Sequence, residues 1–183
     1  MDRLKNIDNA INIMLSEMET GWTNPDTLPL KQRLMRSLIN VRQPDKPSQE
    51  LIDAQDKELA AQREEKGVVE LRQEGIHLWQ GDITRLKVDA IVNAANSRLL
   101  GCFKPLHACI DNVIHSAAGI QLRCYCNEIM QAQGHKEAMG QAKITPGFNL
   151  PARYVIHTVG PIIPNGKPTK EQEELLASCY RSS

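Results

Sequence analysis

Lys87-Val88-Asp89-Ala90-Ile91-Val92-Asn93-Ala94-Ala95-Asn96 is the stretch on which the fold turns. Ala90, Ile91 and Val92 make an apolar run too short for a helix, entered from a charged segment and left through small and amide residues, which reads as a strand. Upstream, Ile76, Leu78 and Trp79 read as a shorter extended run closed by Gly81-Asp82. Downstream comes a long loop, then helices expected from about Asn112 to Ala118 and from Ile120 to Gln133. Two more strands are expected over Ala142 to Pro146 and Tyr154 to Val159, and a last helix from about Lys170 onward. Strands separated by helices predict an α/β fold, a layered sheet with helices on both faces.

The texture before Gly67 is different. Leu4, Ile7, Ile11, Met14, Leu15 and Met18 recur at three and four residues, and Leu30, Leu34, Met35, Leu38 and Val41 repeat the spacing, as amphipathic helices do. Pro44 and Pro47 interrupt the pattern, Ser48 is placed to cap a third helix, and Gly67 to stop it. Residues 1–66 thus read as a helical extension and 67–183 as the α/β domain. Helices this short need a partner surface, and bracing the α/β domain is the simplest use of them.

Charge and composition narrow the function. Twenty-two basic residues balance 22 acidic ones, so a bound polyanion must be met by local groups rather than by a broad positive field. Aromatic residues are 4% of the chain, too few for a stacking platform, and nucleic acid is not an expected partner. The opening Met1-Asp2-Arg3-Leu4-Lys5 leads into spaced apolar residues rather than a secretory or membrane-spanning run, so neither a membrane nor an export route is expected, and the location expected is cytoplasmic. Five cysteines, an odd number, read as reduced thiols rather than a disulfide framework.

Three of the residues that carry chemistry lie in the loop Gly101-Cys102-Phe103-Lys104-Pro105-Leu106-His107-Ala108-Cys109. Cys102, His107 and Cys109 bring two thiols and an imidazole into one short loop, a donor set that suits tetrahedral zinc with one position left open for water or substrate. The same spacing is compatible with two buried cysteines and a loop histidine without metal, and a fourth ligand from Cys124 or Cys126 would make the site structural. Asp82 reads either as a ligand-facing carboxylate or as a helix cap, and Asn96 either as a binding amide or as a turn residue. His157, between Ile156 and Thr158, reads as a core histidine, and His115 as a partner of Asp111 or a packing residue.

Taken together, Gly81-Asp82-Ile83-Thr84, Val88 to Asn96, Asn149-Leu150-Pro151 and Tyr154-Val155-Ile156-His157-Thr158-Val159-Gly160-Pro161 resemble the macrodomain family. The cysteine- and histidine-bearing loop, standing where ordinary macrodomains have a glycine run, resembles the zinc-dependent subgroup. So do Leu34 to Arg42 and Gln55 to Leu59 in the helical extension. The resemblance implies a macrodomain-type mixed sheet and a Zn2+ ion on Cys102, His107 and Cys109. It implies hydrolysis of mono-ADP-ribosyl groups from protein side chains, with ADP-ribose and the mono-ADP-ribosylated protein as partners. Asp82, with Ile83 beside it, would meet the adenine, and Asn96 the distal ribose. Backbone N–H groups at the start of the helix holding Asn112, Val113 and Ile114 would hold the pyrophosphate. Asp111 aligns with an acidic residue that would orient or deprotonate the attacking water, or it is a helix-start carboxylate favoured by the dipole. Closing strands and a second glycine-rich loop with an aromatic residue are expected beyond Ser183. The competing readings are an ADP-ribose reader that binds without cleaving and a zinc protein whose metal only staples the loop.

Overall fold

The computed structural model describes residues 3–71 and 74–183. Three helices come first: α1 (Arg3–Glu17), α2 (Leu28–Val41) and α3 (Gln49–Lys66). Most of the apolar stripes foreseen in α1 and α2 close on one another and on Leu51 of α3, with Ile7, Ile11, Met14, Leu38 and Leu51 all at 0% exposure, whereas Leu4 and Leu30 stay exposed. This core belongs to the extension itself, and Ile120 is the residue of the α/β part that enters it. The limits of α3 are chemical: the Ser48 hydroxyl accepts from the Leu51 N–H, and Gly67, at φ +73°, lets its N–H turn back to the carbonyls of Arg63 and Glu64.

The α/β part follows as β1 (Val69–Glu70), a 3-10 turn (Ile83–Arg85), β2 (Leu86–Lys87), β3 (Ala90–Ala94), α4 (Ile110–Ala118), α5 (Ile120–Gln133), β4 (Ala142–Pro146), β5 (Tyr154–Thr158) and α6 (Lys170–Ser182). β1 and β2 form a parallel pair, while β5 lies between β3, to which it is parallel, and β4, to which it is antiparallel. The three-stranded sheet is therefore mixed, as expected from the sequence resemblance. Ile91, Ile114, Leu122, Cys126 and Val155 share its core. α4 packs on β3 and α5 on β4, and α6 ties in through the Ser178 and Ser182 hydroxyls, which donate to the Gly140 carbonyl. Among the described residues no helix is long and apolar enough to cross a membrane.

One expected strand is absent. Residues 76–79 are irregular, and Ile76 and Leu78 are fully exposed. Alternating apolar residues become a strand only where a neighbouring strand takes up their N–H and C=O groups, and none of the described strands pairs with them. The pairing partner of β2 is instead Val69–Glu70, which the sequence reading left unassigned.

The extension is fastened to the α/β part mainly through buried polar groups. The Gln55 carbonyl oxygen accepts from the Ile120 N–H at 2.9 Å, and its amide donates to Gln121 at 2.8 Å. Asp56 accepts from Gln121 and from Asn149, and the Arg63 guanidinium donates to the Asn149 carbonyl at 2.7 Å. Polar groups buried this way are costly to leave unpaired, so they fix one docking geometry.

Candidate active site

β3 ends at Ala94, and the chain then runs through a long loop into α4, with Cys109 at the position just before its first turn. Asn96, just past the strand, turns its own backbone: its side-chain oxygen accepts from the Arg98 N–H at 3.0 Å. Its amide donates to the Gly101 carbonyl at 2.9 Å and to Asp111 Oδ2 at 3.0 Å. The other carboxylate oxygen, Oδ1, accepts from the Asn93 amide at 2.9 Å. Asp111 is thus gripped on both oxygens by two asparagines from the end of one strand. Burial pushes its carboxyl above the ordinary value, against the two amide donors and the Arg123 charge, which hold it down.

Asn93 extends the network inward. Its amide also lies 3.1 Å from His157 Nδ1, and His157 Nε2 lies 3.0 Å from the Thr145 hydroxyl. The amide can only donate, so Nδ1 accepts and Nε2 carries the proton. Burial drives this imidazole down to about 4, from an ordinary value of 6.5. Its ring resonances should therefore hold still in an NMR titration between about pH 7 and pH 5. A midpoint near the ordinary value would contradict the buried neutral ring. Because the folded value lies below the unfolded one, the unfolded chain binds more protons between the two, and stability falls as pH drops from about 6.5 toward about 4.

His115 behaves as a packing residue. It is 1% exposed, its Nε2 is 3.6 Å from Asp111 Oδ1, and desolvation keeps it neutral. That distance is too long for a hydrogen bond. Gly101 lies flat on its ring: a Cβ there would stand 2.8 Å from the imidazole, so glycine permits the close approach, and its φ of +74° suits glycine as well.

Cys102, His107 and Cys109 are each half-buried, and one donor atom from each lies within 4.8 Å of the others. Cys102 Sγ and His107 Nδ1 are 3.7 Å apart. Burial pushes the Cys109 thiol up, and the adjacent Cys102 adds to the shift against an opposing backbone N–H of Asn112. Two thiols and an imidazole gathered like this match the donors and clustering that zinc takes. Cys124 and Cys126 stand apart. Cys124 donates to the Asp45 carbonyl at 3.5 Å, and Cys126, buried, lies 3.9 Å from His157 Nε2 with its thiol pushed up to about 12 by burial.

The remaining expected residues are placed as follows. Asp82 caps the 3-10 turn: its Oδ1 accepts from the Thr84 N–H at 3.0 Å and from the Thr84 hydroxyl at 2.6 Å. Ile83 begins that turn. At the start of α4 the Val113 N–H is already bonded to the Cys109 carbonyl at 3.1 Å, and Ile114, the next residue, is at 0% exposure. The first-turn N–H groups without an intrahelical partner are those before Val113, on Ile110, Asp111 and Asn112, and that of Asn112 is directed at the Cys109 thiol. The Asn112 side chain is turned away, its amide donating to the Cys102 and Lys104 carbonyls at 3.2 and 2.9 Å.

Sequence reasoning passed over Asn93, Arg36, Asn40 and Arg123. An amide inside an otherwise apolar strand was the available signal for Asn93. Arg123, 4% exposed, donates to the Leu100, Ile39 and Arg42 carbonyls and stacks 4.3 Å from the Phe103 ring centroid. No local pattern in the sequence announces such contacts.

A Macro domain family model matches residues 92–183. A protein named protein-ADP-ribose hydrolase from Treponema medium is 52% identical over 171 residues, covering 88% of this chain and 65% of its own length. One of the same name from Staphylococcus aureus is 46% identical over 187 residues, covering 100% of this chain and 66% of its own. This chain therefore spans slightly less than two thirds of the length of these curated relatives. A crystal structure of a Trypanosoma brucei macrodomain superposes with a TM-score of 0.51 at 29% identity, over 80% of this chain and 62% of that one. With its α/β mixed sheet and with more than half of its residues matched, the chain belongs to the Macro domain family.

Proposed function

We propose that the protein hydrolyses mono-ADP-ribosyl modifications on protein side chains, using a zinc ion held by Cys102, His107 and Cys109. The observation that carries the reading is the gathering of three metal-type donor atoms within 4.8 Å on the loop that leads into the helix bearing Asp111. The relatives named protein-ADP-ribose hydrolase support the substrate class. Bound there, zinc supplies Lewis acidity toward a ribose or water oxygen and a template for the sugar.

The chain's own residues do the rest. The first turn of α4 presents backbone N–H groups and the positive end of a helix dipole to a pyrophosphate, which explains how a chain of zero net charge binds a dianion. Asp82 and Ile83 take the adenine, and Asn96 the distal ribose. Asp111 accepts a proton from water as the water oxygen bonds to C1″ and the bond from C1″ to the modified side chain breaks; Asp111 then returns that proton to the departing side chain. A carboxylate raised by burial is a stronger base than an exposed one, and the two asparagines keep its lone pairs oriented.

The test is release of free ADP-ribose from a mono-ADP-ribosylated protein. Turnover should vanish with Cys102→Ala or a chelator and return to the parent chain when zinc is restored. Binding of ADP-ribose with no release under saturating zinc would instead identify a reader. Unfolding on chelation, seen as a collapsed melting transition, would make the metal a structural staple.

A further inference from the structure

We propose that Arg36 and Asn40, on α2 of the helical extension, are positioning residues for the metal loop, so that the first helices of the chain set the affinity and geometry of its zinc site. The inference rests on the proposed metal reading of Cys102, His107 and Cys109.

His107 is held from both sides by α2. The peptide before it is fixed by Asn40, whose side-chain oxygen accepts from the Leu106 N–H at 3.0 Å. The peptide after it is fixed by Arg36, whose guanidinium donates to the His107 carbonyl at 2.9 Å. The same Arg36 nitrogen donates to Asn112 Oδ1 at 2.9 Å, and the Asn112 amide in turn holds the carbonyl of Cys102. One guanidinium therefore couples two of the three metal-type residues. Leu106 has φ +55°, a left-handed conformation that a branched residue adopts only when its surroundings hold it there. Asn40 supplies that hold. It is fully buried, and its amide is anchored to the Ser116 hydroxyl at 2.8 Å, so it cannot swing away.

A loop with donors on a half-buried surface and one residue in a strained backbone state samples many arrangements when free. Tying both peptides of His107 to a packed helix removes that freedom before metal arrives, and preorganised donors bind more tightly. Bracing alone would need only the Gln55, Asp56 and Arg63 contacts described above. The Arg36 and Asn40 contacts do something further, because they end on the loop itself.

The experiment uses the whole 183-residue chain, with zinc affinity measured by competition against a chromophoric chelator and ligand geometry by the absorption bands of the Co2+-substituted protein. Arg36→Ala and Asn40→Ala should weaken zinc binding by about tenfold to a hundredfold and shift the cobalt bands. Arg36→Lys, which keeps a donor but not the fork, should fall between. Arg3→Ala, which removes a guanidinium that pairs α1 with Glu58 of α3, should lower the melting temperature while leaving affinity and bands as in the parent. If Asn40→Ala fails to fold, Arg36→Ala decides alone. Parent-like affinity and bands in the Arg36 variant overturn the inference while leaving the metal reading intact. A parent chain that takes up neither zinc nor cobalt overturns both.

Discussion

Replacing Asp111 with asparagine should slow release of ADP-ribose by about a hundredfold to ten-thousandfold, the range spanned by removal of a positioned general base. The substitution preserves volume but not hydrogen-bond polarity. Asn93 and Asn96 both donate to this carboxylate, one to each oxygen, and an amide in its place offers only one acceptor. One of the two asparagines must lose its partner or turn, so Asn96 is also displaced from the sugar it is proposed to hold. Zinc content should stay at one ion per chain, because the three donors are untouched. A variant with full metal and turnover close to the parent's would remove Asp111 from the mechanism.

Gly147→Ala should be the most destabilising of the glycine-to-alanine substitutions in the chain. Gly147 lies between β4 and β5, its N–H bonded to the Arg153 carbonyl at 2.8 Å, and a Cβ there would sit 2.0 Å from the Ala152 carbonyl oxygen. The obstacle is backbone rather than the tip of a flexible side chain. Relief requires opening the turn that sets the antiparallel register of Pro146 with Tyr154. Overpacking of this sort costs about 3 kcal/mol, the upper end of the usual range, which for a chain of this size lowers the melting temperature by roughly 10 °C. A melting curve superimposable on the parent's would show that the turn yields more easily than this geometry allows.

α2 does more than bury apolar surface, since its Arg36 and Asn40 reach the loop that carries Cys102, His107 and Cys109. Arg123 reinforces the point, since one guanidinium from α5 holds the carboxyl end of α2 through Ile39 and Arg42 and the loop through Leu100. Desolvation lowers this arginine to about 10, still high enough to keep it charged at neutral pH, and its three carbonyl acceptors offset part of the cost.

The sequence by itself determined the elements whose signals are local. Ser48 and Gly67 bound α3 as read, β4 has the limits expected of it, and Cys102, His107 and Cys109 stand together because they lie within one short loop. Resemblance of ordered motifs was enough to point to the family. Contacts between distant segments left no such trace. The false strand at residues 76–79 and the missed pairing of Val69–Glu70 with Leu86–Lys87 arise because a strand is completed by its neighbour, not by its own alternation. Asn93 beneath Asp111, Asn40 beneath Leu106 and Arg36 on the His107 carbonyl were decided only in the folded chain. Each such hydrogen bond depends on the distance and direction between groups many residues apart, which helix packing sets and residue identity alone does not encode.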